Sequence, residues 1–382
     1  MGNKIRVGLV YGGRSGEHEV SLQTALAVLK AFDYDKYELI PFYITKTGQW
    51  RSGPALQAPP SAVAELQFAP ERAPAAADAE AAAEPALLPV LRGMSELDAG
   101  AADERDGRAV DVMFPLLHGT FGEDGTIQGL FEMAGIPYVG AGVLASAVGM
   151  DKAIMKTLFA QAGLPQAEWR HFTRHEWSRH RQRLIEEIET ALGYPCFVKP
   201  ANLGSSVGIS KARNRDELAA AVETALRYDR KAVVEQFVDA REIEVSVLGN
   251  DEPRASVPGE IVSSNEFYDY RAKYIDGKSA MIIPADLPPE TAEAARKMAV
   301  AAFRAIDGSG LCRADFFLRR SDGRLLINEV NTMPGFTPFS MYPLLWQESG
   351  VSYRELLDTL IRLALERYEE RQSIDYGGGA QA

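Results

Sequence analysis

The sequence predicts a mixed α/β and α+β protein, with an open parallel sheet at its start and antiparallel pairing towards its end. Three stretches carry that reading. Residues 5–11 are a short apolar run, followed by Gly12-Gly13-Arg14-Ser15-Gly16-Glu17 and a helical face of Leu22, Ala25, Leu26 and Leu29: strand, Gly-rich turn, helix. Residues 110–117 repeat the pattern, with a Gly-rich turn from His118 to Thr126 and a helix through Phe131 and Met133. Near the end, Ser321-Asp322-Gly323 is a turn signal between two apolar-rich runs of the segment 313–335, which therefore reads as an antiparallel hairpin.

At 382 residues, 46% hydrophobic and 25% charged, the chain has room for two or three domains with sizeable cores. A net charge of −12 argues against nucleic acid or an anionic membrane surface as the main partner. Cys196 and Cys312 are far apart, flank apolar residues and lack metal-ligand spacing, so reduced core thiols of a cytoplasmic protein are expected. No leader pattern and no apolar run of spanning length is present, and neither a signal peptide nor a transmembrane helix is expected.

In an open parallel sheet the turn after the first strand sits at the carboxyl edge, where ligands bind. Glu17 lies where a new helix begins. It either complements the helix dipole or receives a substrate ammonium. A second strand covers 37–44, and from about 54 to 108 an Ala/Pro/Glu-rich stretch reads as a peripheral insertion. His118, at a strand end beside a Gly-rich turn, is either structural or ligand-orienting. A new helix starts at Met150-Asp151-Lys152 and carries Ile154, Met155 and Leu158; Trp177, Leu184, Ile185 and Ile188 mark a longer one. Residues 196–200 form a strand, and 201–208 a small-residue loop that is not a Walker A sequence. Such a loop can cradle phosphates through exposed N–H groups and hydroxyls, with Lys199 supplying a point charge.

Residues 232–238 and 241–247 read as strands joined by a tight connection. Glu235 and Glu242 there are either readers of a nucleotide's polar edges or solvated strand-end charges. Residues 263–279 show no periodicity and read as a lid. A helix over 290–305 leads into the hairpin. With its turn centred on Asp322, Asp315 faces Glu329, Arg313 faces Asn331, and all four share one surface. Opposed carboxylates repel. Magnesium would remove the repulsion through the oxygens of Asp315, Glu329 and Asn331; the plainer alternative is a hairpin whose charges face water. A Pro/Gly-rich loop over 334–340 follows, then a final helix bearing Leu356, Leu357, Leu360 and Ala364.

GGRSGEHEVS at 12–21, LHGTFGEDGTIQG at 117–129, MDK at 150–152, VKPANLGSSVG at 198–208, YDYRAKY at 268–274, and RADFF with NEVNTMPGFT occur in one order and spacing. Together they closely resemble the D-alanine–D-alanine ligases of the ATP-grasp superfamily, over nearly the whole chain apart from the insertion.

The resemblance implies a three-domain ATP-grasp fold with nucleotide bound between two sheets. Its parts would be an N-terminal α/β domain (1–145), a central subdomain (146–231) and a C-terminal subdomain (232–382) with the lid at 263–279. It further implies Lys152 and Lys199 on the phosphates of ATP and the Gly204, Ser205, Ser206 loop closing over them. Glu235, Val238 and Glu242 would surround adenine and ribose. Asp315, Glu329 and Asn331 would hold two magnesium ions, with manganese as a substitute. The first D-alanine would set its ammonium by Glu17, near His118, and react through an acyl phosphate. Arg313 and the Gly335 N–H would then serve the oxyanion, and Ser340 and the Met341 N–H the second carboxylate. Lys273 and Tyr274 would come from the lid, Tyr274 linking through Ser205 to Glu17. The intact lid pattern favours the dipeptide over a D-lactate product; an inactive nucleotide-binding module is the alternative of another class. Gln236 stands where many relatives have Lys. The expected state is a cytoplasmic homodimer serving peptidoglycan synthesis.

Overall fold

The structure is a computed structural model that describes residues 4–68, 110–204, 206–262 and 280–375. β1 (Ile5–Gly12) runs parallel to β2 (Tyr37–Ile44), whose outer edge takes the short antiparallel β3 (Trp50–Ser52). On its other side β1 runs parallel to β4 (Val112–Pro115), closing a sheet in the order β3-β2-β1-β4. Parallel neighbours require a crossover. α1 (His18–Ala31) supplies one, burying Leu22, Ala25, Val28 and Leu29 against Val7 and Leu9. Both Gly-rich turns therefore leave the carboxyl ends of parallel strands, as the sequence predicts.

After β4 come α2 (Thr126–Met133) and α3 (Val143–Met150). The helix expected from residue 150 begins instead at Lys152, as α4 (Lys152–Gln161), with Asp151 ending one helix and capping the next. The Asp151 carboxylate accepts from the Ala153 and Ile154 N–H groups at 3.1 and 3.2 Å. α3 has no polar stripe to give it away, and the boundary expected at 145 falls inside it.

β5 (Trp169–Thr173), β6 (Cys196–Pro200), β7 (Ser210–Ala212) and β8 (Lys231–Gln236) form a second sheet, ordered β5-β8-β6-β7, with antiparallel neighbours throughout. α5 (Arg174–Ala191) and α6 (Arg215–Tyr228) bury Trp177, Leu184, Leu218 and Val222 against it. Each starts at a cap: Thr173 with Glu176 as a capping box, and Asn214.

The chain passes from β8 into β9 (Ala240–Gly249) across three residues, and so from the second sheet into the third. β10 (Arg254–Ala255), β11 (Gly259–Val262), β12 (Ala280–Ile282), β13 (Gly310–Arg319) and β14 (Leu325–Asn331) complete it, in the order β12-β11-β9-β13-β14 with β10 on β9. α7 (Pro289–Ala305) packs Ala295, Ala299 and Phe303 onto Ile243, Val245 and Phe316. α8 (Met341–Glu348) follows the hairpin, and α9 (Tyr353–Gln372) buries Leu356, Leu360 and Ile361 in the core of the first sheet. Arg367 of α9 reinforces that closure, donating to the Tyr138 carbonyl at 2.9 Å, to Ser309 Oγ at 2.7 Å and to the Gly140 carbonyl. Both cysteines are buried and unbonded, and among the described residues no helix is long and apolar enough to cross a membrane.

Candidate active site

The hairpin pairs Arg313 with Asn331 and Asp315 with Glu329, as expected. The next pair, however, is Phe316 with Ile327, which leaves Asn328 as a bulge. A bulge re-aims the residues beside it. Without it, Asp315 would face Asn328, and Glu329 would move one place along. On its other side Asp315 lies opposite Glu244 of β9. Arg313 holds these acids together, donating to both Asp315 oxygens at 2.7 and 2.8 Å, with Nε 3.0 Å from Glu244. Asn331 adds a bond to Asp315 at 3.0 Å.

Arg313 and Lys152, the latter 3.8 Å from Glu329, offset the repulsion among the carboxylates. Among the described residues no three His, Cys, Asp or Glu side chains are grouped to hold a metal. The third donor expected here is the Asn331 amide. Two carboxylates and an amide on neighbouring strands are hard oxygen donors, and they fit magnesium that shares its remaining positions with substrate and water.

Between the second and third sheets lies a cavity of about 220 Å³. Lys199 and Glu235 line it from one side, Val238, Glu242 and Glu244 from the crossover and β9, and Arg313, Asp315 and Glu329 from the hairpin. Phe197, Phe237 and Phe317 give it apolar walls. Glu235 is only 2% exposed, so it is no solvated strand end. It lies 2.9 Å from Lys199 and 3.4 Å from Lys156. Lys152, Gly204, Ser206, Glu329 and Asn331 line an adjoining recess, and Lys152 Nζ donates to the Leu203 carbonyl at 2.9 Å.

Glu17 immediately precedes α1 and makes no capping bond; the acidic residue of the first turn is Glu19. The carboxylate of Glu17 lies instead between two glycines. A Cβ added at Gly119 would stand 2.6 Å from Glu17 Oε2, and one at Gly204 3.1 Å. The small-residue loop of the second sheet thus meets both Gly-rich turns of the first. His118 is buried, with Nδ1 3.2 Å from the Met333 carbonyl and Nε2 3.2 Å from Thr24 Oγ1. Burial pushes its pKa down. A neutral ring donating from Nδ1 and accepting at Nε2 satisfies both partners, so His118 joins the second Gly-rich turn to α1 and to the segment after the hairpin.

Glu123 accepts from the Gly119 N–H at 2.6 Å. Enclosure away from water, then the nearby Glu17 charge, push its carboxyl up to about 8. Ser340 precedes α8 and Met341 opens it, so the Met341 N–H belongs to a helix N-terminus suited to a carboxylate. Ser340 Oγ accepts from the Thr337 N–H at 3.0 Å and lies close to Gly335, where a Cβ would stand 2.9 Å from it.

Ser205, Lys273 and Tyr274, the rest of the expected lid, and the insertion from residue 69 onwards lie outside the described residues. Four residues of the site escape sequence reasoning: Lys156, Glu244, Glu123 and Asn328. Lys156 follows Lys152 by one helical turn, and Glu244 alternates with Glu242. Those spacings were the available signals.

Two antiparallel sheets facing each other across a lysine-bearing cleft, with an open parallel sheet in front, define an ATP-grasp protein. The chain belongs to the D-alanine–D-alanine ligase family: the family descriptions "D-ala D-ala ligase N-terminus" and "D-ala D-ala ligase C-terminus" match residues 6–141 and 158–362. It is 57% identical to the D-alanine–D-alanine ligase of Bacillus licheniformis and 54% identical to that of Bacillus cytotoxicus, each over 98% of this chain and 99% of the relative. Among solved structures it is similar to the D-alanine–D-alanine ligase from Coxiella burnetii, with a TM-score of 0.76, 33% identity, and 97% and 96% of the two chains covered. It is also similar to the VanG D-Ala:D-Ser ligase from Enterococcus faecalis, with a TM-score of 0.77, 33% identity, and 95% and 100% covered.

Proposed function

We propose that the chain joins two D-alanine molecules into D-alanyl-D-alanine with ATP as the phosphoryl donor. One observation carries the reading: Glu17, the Gly204 loop, Lys152 and Glu329, from four distant motifs, form one continuous run of contacts along a cleft. In the proposed reaction the carboxylate of the first D-alanine attacks the γ-phosphorus, ADP leaves, and a D-alanyl phosphate forms. The amine of the second D-alanine then attacks the acyl carbon, loses a proton, and phosphate leaves.

Glu17 receives the first ammonium, and neutral His118 keeps that pocket's walls together. Lys152, Lys199 and the loop from Gly204 to Ser206 hold the phosphates, while Glu235, Val238 and Glu242 border adenine and ribose. Arg313 and the Gly335 N–H face the tetrahedral oxyanion, a role that requires Arg313 to share its guanidinium between Asp315 and substrate. Ser340 and the Met341 N–H take the second carboxylate. Asp315, Glu329 and Asn331 hold magnesium, two ions in this proposal and manganese as a substitute, whose charge offsets that gathering on the transferring oxygens. Ser205, Lys273 and Tyr274 complete the proposed site, the last two from the lid. From the family alone we also propose a cytoplasmic homodimer that supplies a peptidoglycan precursor.

The test is phosphate release and dipeptide detection with ATP, magnesium and D-alanine, beside L-alanine, D-serine and D-lactate as alternatives. The expected result is release with D-alanine and the D,D-dipeptide as product. A well-folded protein inert in that mixture would overturn the reading, and preferential use of D-lactate would move it to depsipeptide synthesis.

A further inference from the structure

Lys156 sits one turn beyond Lys152 on α4, yet it does not line the cleft and its side chain is only 1% exposed. A fully buried ammonium is costly unless paired. Its Nζ lies 3.4 Å from one oxygen of Glu235 and donates to the Asn328 carbonyl, at the bulge, over 3.3 Å. The other Glu235 oxygen accepts from Lys199 at 2.9 Å. One carboxylate thus stands between two lysines, and only Lys199 and Glu235 reach the cavity. The next carboxylate, Glu329, has Lys152 beside it.

This arrangement sets the charge the cleft presents. Glu235 with Lys199 alone would be a neutral pair closed on itself. With a protonated Lys156 behind, the trio carries one net positive charge, and of the two lysines only Lys199 reaches the cavity. A buried excess of one charge favours a ligand that brings the opposite one. We infer that Lys156 is a positioning residue that keeps the charge of Lys199 available to the phosphates of ATP by occupying the far side of Glu235. The inference rests on the ligase reading, in which this cavity holds ATP.

The test compares ATP with adenosine, which offers the same base and sugar without phosphates. Binding of each is measured by calorimetry with magnesium present, for the unaltered protein and for Lys156→Met. ATP affinity is expected to fall tenfold or more, and adenosine affinity less than threefold. A residue that merely supported the packing of α4 would weaken both alike. Lys156→Gln, which keeps a donor for the Asn328 carbonyl but not the charge, carries the same expectation and serves if the Met variant does not fold. Unchanged ATP affinity, or equal losses for ATP and adenosine, would overturn this inference alone. Failure of the unaltered protein to bind ATP would overturn the ligase reading and the inference with it.

Discussion

Gly119→Ala tests the substrate end of the cleft. Gly119 has φ +70°, and its missing Cβ would stand 2.6 Å from Glu17 Oε2. Two costs follow and are separable. The left-handed backbone costs a side-chain-bearing residue about 1–2 kcal/mol, which lowers stability without reference to the site. The new methyl group drives the Glu17 carboxylate back by roughly 1 Å to reach ordinary contact. A misplacement of about 1 Å at a positioning group can cost on the order of 10²-fold in rate. Gly193 is the control: its φ is +66° and nothing lies within 4 Å of an added Cβ. The assay is phosphate release against D-alanine concentration at saturating ATP, with a thermal melt of each variant. Gly119→Ala should lose about 10²-fold in kcat/KM for D-alanine, while Gly193→Ala melts earlier by a similar margin and keeps its kinetics. Equal losses of activity in both variants would show a stability effect. Unaltered D-alanine kinetics in Gly119→Ala would remove Glu17 from the substrate site.

Glu329→Gln should lower turnover by about 10²-fold or more, because a neutral amide holds a divalent cation far less well; phosphate release reads this, and the melting temperature should barely move. Glu123→Gln should change how stability depends on pH. With its pKa up at about 8, Glu123 in the folded protein keeps a proton that the unfolded chain releases near 4.5. Its contribution to stability therefore falls as pH rises between those values, and urea midpoints at pH 5, 7 and 9 should fall less steeply in the Gln variant. Asp151→Ala should destabilise by about 1–2 kcal/mol from the lost α4 cap alone, with a further loss because Lys231 also pairs with that carboxylate; equilibrium denaturation measures it.

What was legible in the sequence is what local pattern encodes. The strand, Gly-rich turn and helix units and the hairpin each depend on spacing within a short window, and each folds as read. The Asp315–Glu329 pairing shows where such reading meets its limit. Centring the turn on Asp322 gives the correct partners, but nearer the turn the strands pair one residue out of step, and the Asn328 bulge restores the register at the site. Period-two alternation carries no mark of a bulge. Lys156 was hidden because it lies between Met155 and the core residue Phe159, and its partners Glu235 and Asn328 are distant in the chain. The bond from His118 to Met333 spans 215 residues, and no window covers that.

The distribution of acids bears on how one cleft would serve both steps of the proposed reaction. Along the cavity between the second and third sheets four carboxylates have a cation within reach: Glu235 has Lys156 and Lys199, Glu329 has Lys152, and Asp315 and Glu244 share Arg313. In the proposed reaction those pairs would be exchanged for metal and phosphate, each cation lost by a carboxylate being one gained by a transferring oxygen. Two further acids flank Gly119 at the other end of the cleft. Glu17 and Glu123 both lie beside Gly119, and burial, then the Glu17 charge, raises the pKa of Glu123 while the Arg313 charge acts against that rise. In the proposed reaction an arriving ammonium would be drawn to Glu17. Under the proposed function Glu17 would therefore favour a positively charged group, and Lys199 with Lys156 behind Glu235 a negatively charged one. In the proposed site a zwitterionic amino acid laid along the cleft, ammonium towards Glu17 and carboxylate towards the phosphates, would satisfy both ends at once, and in that orientation its carboxylate would be the group presented for phosphorylation.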